Sequence, residues 1–127
     1  MDKKILYCAV VLSESSRQLL LNTFGKEAPS DWKWICHHAT ICFGHGLVGE
    51  MKYDLGKEIT LKVTHIGKSN MAMAVVVDGI KSDNAVPHIT LCVNESAGGK
   101  PKMSNDITNW EPISQIVIYG IISKIKG

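Results

Sequence analysis

No apolar run in the chain approaches the ~20 residues a membrane span needs; stretches such as 74–77 and 116–122 are strand-sized. There is no Cys-x-x-Cys pair, which removes the usual zinc and thiol-redox spacings. No glycine-rich loop follows any strand-like stretch, so neither a P-loop nor a dinucleotide fingerprint is present. Low-complexity tracts and linkers are missing too. Excess charge is small, a net +2, which excludes a surface that coats nucleic acid but leaves a small anionic ligand open. The N-terminal Met-Asp-Lys-Lys followed by 5–12 has the outline of a signal peptide. No small-residue cleavage site follows, and 13–17 reads as a helix start, so 5–12 is expected to be a first strand.

What is present fits one globular domain. The 127 residues, 45% apolar and 20% charged, are enough to bury a core, and residues 1–127 are expected to fold as a unit. The four cysteines, Cys8, Cys36, Cys42 and Cys92, each sit in an apolar stretch, where a free thiol behaves as a small hydrophobe. They are expected to be reduced core residues of a cytoplasmic protein.

Local patterns predict the elements. Ser13 or Ser15 caps a helix that runs to about Phe24 and stops at Gly25. Strands are expected at 37–43, 58–65, 71–77, 88–93 and 114–124, with a hairpin turn at 67–70 and a short helix around 103–109. The order is β-α-β-β-β-β-(α)-β, an α+β protein with a mixed, largely antiparallel sheet and one main helix packed on its back.

Two stretches share one form: His38-Ala39-Thr40-Ile41 and His88-Ile89-Thr90-Leu91. On a strand, residues i and i+2 share a face. His38 and Thr40 therefore point one way and Ala39, Ile41 and Phe43 the other; His88 and Thr90 oppose Ile89, Leu91 and Val93. The apolar set packs on a core and leaves each His/Thr pair on the opposite face. With five His and six Thr in the chain, two such tetrads arise by chance in roughly one sequence in a thousand of this composition. The residue types suit phosphodiester cleavage. One imidazole takes a proton from the nucleophile, the other gives one to the leaving oxygen, and the threonine hydroxyls donate to the nonbridging oxygens. No metal or cofactor enters this scheme.

At these tetrads, and in the contexts His-His-Ala-Thr-Ile-x-Phe-Gly and Pro-His-Ile-Thr-Leu, the chain resembles the two-histidine (2H) phosphoesterase superfamily. The resemblance implies a bilobal, pseudo-symmetric sheet with both motifs on its inner strands. It implies His38 and His88 as the acid–base pair and Thr40 and Thr90 as phosphate donors. It also implies a nucleotide substrate: a 2′,3′-cyclic phosphate RNA end, a 2′-5′ oligoadenylate, or a cyclic oligonucleotide immune signal of the kind that phage members destroy. The alternative is a non-catalytic RNA- or nucleotide-binding module on the same fold. The separation of His38 from His88 is short for the superfamily.

Tyr7, Trp34 and Trp110 are candidates for stacking on a base, with Glu111 beside Trp110; ordinary packing competes for each. Lys33, Lys100 and Lys102 are candidate phosphate contacts against a default of solvated surface. Strand alternation sends His37 to the face opposite His38, as a core or edge residue. Cys36, His37, Cys42 and His45 cluster in sequence, but alternation scatters them and the spacing matches no standard zinc pattern. Cys42 and Cys92 fall on the motif face as pocket floor.

Overall fold

The computed structural model describes residues 5–43, 56–79 and 86–126. The segment Gly44-His45-Gly46, and the side chains of Tyr7, Cys8, Cys42 and Lys102, lie outside the described residues. Strand β1 is Ile5–Leu12 and is followed at once by helix α1, Glu14–Phe24. Ser13 caps α1 by accepting the Ser16 N–H at 3.2 Å, and Glu14 in the first turn suits the helix dipole. Ser16 then accepts the Tyr119 N–H at 2.8 Å through its buried hydroxyl, which ties the start of the helix to the last strand.

The remaining strands are β2 (Lys33–Trp34), β3 (His38–Phe43), β4 (Glu58–Lys68), β5 (Ala72–Asp78), β6 (His88–Val93) and β7 (Glu111–Lys126). Two 3-10 turns, Glu95–Ala97 and Pro101–Asp106, take the place of the short helix expected at 103–109. Strands β4 and β7 extend beyond the expected bounds, and β2 was not anticipated.

Every strand pair is antiparallel. Neighbours run β6-β3-β1-β7-β4-β5, and β5 pairs back to β6, so six strands close into a barrel. Closure removes the open edges that a flat sheet would present. Only three residues separate β2 from β3. Both lie along the same edge of β6, with Trp34 opposite Cys92 and Ala39 opposite Ile89.

The alternation read from the sequence becomes an inside and an outside. Val10, Leu12, Ala39, Leu61, Val63, Val75, Ile89, Leu91, Ile118 and Ile122 belong to one buried cluster, the barrel lining. Leu20 and Phe24 of α1 join that cluster. The expected back of the sheet is thus the inside of a barrel. Gly120 lies on the buried side of β7, where an added Cβ would come within 2.8 Å of the Val11 carbonyl oxygen. Only glycine lets β1 and β7 approach this closely. No helix among the described residues is long and apolar enough to cross a membrane.

Candidate functional site

The two tetrads are brought side by side. Ala39 is paired with Ile89 in an antiparallel register, which sets His38 across from Thr90 and Thr40 across from His88. Directly opposed residues share a face. With Ala39 and Ile89 in the core, all four motif side chains lie on the outer face. The flanking strands extend the pattern. One row reads Val11, His38, Thr90, Ala74, Gly67, and the next reads Ala9, Thr40, His88, Val76, His65. The histidines occupy a diagonal of the central square and the threonines the other diagonal. Diagonal neighbours on such a ladder have Cα atoms ~7–8 Å apart, near enough for two imidazoles to bracket one small anionic group.

His88 is 8% exposed, and its Nδ1–H donates to the Val86 carbonyl at 2.8 Å. His38 is half-buried, and its Nδ1 shares a hydrogen bond with Nδ1 of His37 at 3.0 Å. Burial first, and then the neighbouring charges of His37 and His88, push His38 down from its ordinary 6.5 to about 4. It is therefore neutral at physiological pH.

Thr90, 9% exposed, meets the Pro101–Asp106 turn. Its hydroxyl donates to the Pro101 carbonyl at 3.1 Å and bonds the fully buried Ser104 hydroxyl at 2.8 Å. The turn roofs the Thr90 corner of the square.

His37 does not follow alternation. Cys36, immediately before it, has φ +41°, in the left-handed region that a non-glycine side chain adopts only at a cost of about 1 kcal/mol. The turn is held from α1. Arg17 donates from Nε to the Cys36 carbonyl at 2.8 Å and from Nη2 to the Ile35 carbonyl at 3.3 Å. The Ile35 and Cys36 N–H groups donate to the Leu91 and Thr90 carbonyls. The turn swings the exposed His37 ring beside His38, centroids 5.2 Å apart and planes at 82°. Sequence reasoning set His37 aside because periodicity cannot see a left-handed turn. It missed Arg17 and Ser104 because an isolated polar residue carries no motif. Arg17→Met is expected to destabilise the fold by about 1.5–3 kcal/mol, since two carbonyls lose charged donors. It should also loosen His38, read as a lower melting temperature and altered His38 ring resonances.

The other candidates are dispersed. Trp34 is half-buried and packs against the core cluster. Trp110 lies across Gly67, where an added Cβ would meet its Cε3 at 2.6 Å. Gly67 is two strands from Thr90 in the same row, about 10 Å away. Trp110 therefore stands on the motif face but at its margin. Glu111 is exposed, opposite Ile66, and lines a separate cleft of about 180 Å³ together with Glu27, Lys68 and Asn109. That cleft shares no residue with the His/Thr square. Tyr7 sits on β1 two residues before Ala9, opposite Phe43. Lys33 pairs with Glu95 at 3.4 Å, and Lys100 is exposed. Cys92 is wholly buried in the core cluster rather than on a pocket floor. Burial pushes the Cys36 and Cys92 thiols up to about 12 and about 11, which keeps both protonated and unreactive.

Compared with known protein families and with curated proteins, the chain finds no match.

Proposed function

We propose that this protein is a metal-independent phosphodiesterase acting on a nucleotide phosphodiester, of the 2H phosphoesterase type. The observation that supports it is the square formed by the paired tetrads, with its two histidines on one diagonal. Residues 50 positions apart in the chain lie as cross-strand neighbours, which chance repetition of a tetrad does not require. A phosphate centred on the square would have an imidazole on either side. His38 is neutral, so it takes the proton from the attacking hydroxyl or water. His88 gives a proton to the leaving oxygen as the P–O bond breaks. Its Nδ1–H is held by Val86, so the proton that moves is the one on Nε2. Thr40 and Thr90 are the hydroxyls that donate to the nonbridging oxygens. Thr90 would first have to give up its bond to Pro101.

The engagement of Thr90 favours one second reading, a non-catalytic nucleotide- or RNA-binding module. Hydrolysis assays separate the two. A 2′,3′-cyclic nucleotide, a 2′-5′ oligoadenylate and several cyclic dinucleotides are offered with and without EDTA. Turnover of one class that survives the chelator is expected. Binding of one of them without turnover would establish the module instead.

The acidity of His38 predicts the pH dependence. A base must be unprotonated, so kcat/KM is expected to rise with pH through about 4, well below the ordinary histidine range. Because the folded value lies below the unfolded 6.5, the unfolded chain binds more protons between about 4 and 6.5. Stability is therefore full above that window and falls as pH drops through it. A pH–rate profile checks the first, and melting temperatures from pH 4 to 7 check the second.

A further inference from the structure

Each motif histidine is held through Nδ1 by a group just upstream of its strand. For His88 the holder is the Val86 carbonyl, at 2.8 Å; for His38 it is Nδ1 of His37, at 3.0 Å. The two holders differ chemically. A carbonyl only accepts, so His88 must carry its proton on Nδ1 and, when neutral, its lone pair on Nε2. A neutral imidazole nitrogen can accept or donate. An N···N bond between two rings needs one N–H and one lone pair, and the partner's choice decides which nitrogen of His38 carries the proton.

We infer that His37 is a positioning residue that accepts the Nδ1–H of His38 and so fixes His38 in the tautomer whose Nε2 lone pair faces the His/Thr square. Both motif histidines then have Nδ1–H tied upstream and Nε2 directed at the site, His38 with a lone pair there and His88 with the proton it gives up.

The local structure supports this pairing. The His37 backbone is anchored, with the Leu12 N–H donating to its carbonyl at 3.0 Å. The residue before it takes a strained conformation that Arg17 holds from another element. The rings meet edge-on at 82°, which suits an in-plane hydrogen bond rather than stacking. An exposed side chain at the start of a strand needs none of this for packing. Local strain maintained by neighbouring elements is a feature of sites where geometry matters. The inference deepens the phosphodiesterase reading, because only an Nε2 lone pair lets His38 act as the base. The tautomer itself is measurable without any substrate.

The test is nitrogen-15 NMR of the histidine rings at neutral pH, paired with kinetics, on the full chain and on His37→Phe and His37→Asn. In the wild type, His38 Nδ1 is expected to be pyrrole-like and Nε2 pyridine-like. Phenylalanine keeps the ring and removes the acceptor, so His38 should revert to the Nε2–H form that free histidine favours. Asparagine offers Oδ1 as an acceptor and should restore the first form. In step, kcat should fall about 10–100-fold in His37→Phe, with KM little changed, and recover in His37→Asn, by analogy with the range seen when the hydrogen-bond partner that orients a metal-bound histidine is removed. A wild-type His38 protonated on Nε2, or a tautomer unmoved by His37→Phe, overturns the inference. If no phosphodiester is turned over at all, the proposed activity fails, and the ring spectra alone decide the role of His37.

Discussion

Replacing either motif histidine is expected to slow turnover by about 10²–10⁴-fold, the range that general acid–base groups contribute. His38→Ala removes the neutral imidazole proposed to accept the first proton. His88→Ala removes the proposed proton donor, and with it a nearly buried ring whose Nδ1–H bonds the Val86 carbonyl. That variant should therefore lose about 1–2 kcal/mol of stability as well. His88→Asn separates the two effects, since its amide can still donate towards Val86 while having no titratable proton. Activity should be lost in His88→Asn with the melting temperature close to wild type. Circular dichroism and thermal melts read the fold, and steady-state hydrolysis reads the chemistry. Equal rates in wild type and His88→Asn would remove His88 from the reaction.

The second large effect lies in the scaffold. Leu61 is wholly buried in the barrel lining, on the opposite side of the sheet from the histidines. Leu61→Ala opens a cavity in a closed shell that has little room to collapse, and it should cost about 2–5 kcal/mol. For a domain of this size that lowers the melting temperature by roughly 7–19 °C. Well below the melt, kcat should stay within a few-fold of wild type. The outer face is held by cross-strand hydrogen bonds and by Arg17, not by Leu61. A denaturant melt and a rate at low temperature check both halves. A collapse of kcat at a temperature where Leu61→Ala is still folded would show that the site depends on the interior.

The tetrads were legible because a strand repeats every two residues. His38 with Thr40, and His88 with Thr90, fall on one face whatever the topology, and their apolar partners, Ala39, Ile89 and Leu91, do pack inward. Helix α1 was legible through Ser13 and Gly25, and β6 through the apolar run that follows His88. Closure of the barrel was not. It depends on β5 returning to β6 and on β7 lying between β1 and β4, and long-range pairings of this kind leave no local mark. Strand β2 is too short to show a period. The left-handed turn at Cys36 breaks alternation where the sequence pattern is most regular, so it carries His37 to a place that pattern could not give. The roof over Thr90 is likewise a tertiary contact, made by a serine within a polar stretch.

The central claim is that His38 and His88 act together in one chemical step. The most direct test is a double-mutant cycle on whichever phosphodiester the wild type hydrolyses, comparing His38→Ala, His88→Asn and the double variant. Groups that act as a unit are strongly non-additive, so the double variant should be about as slow as the slower single variant. Losses that multiply, with each histidine contributing independently of the other, would contradict a shared acid–base step across the square.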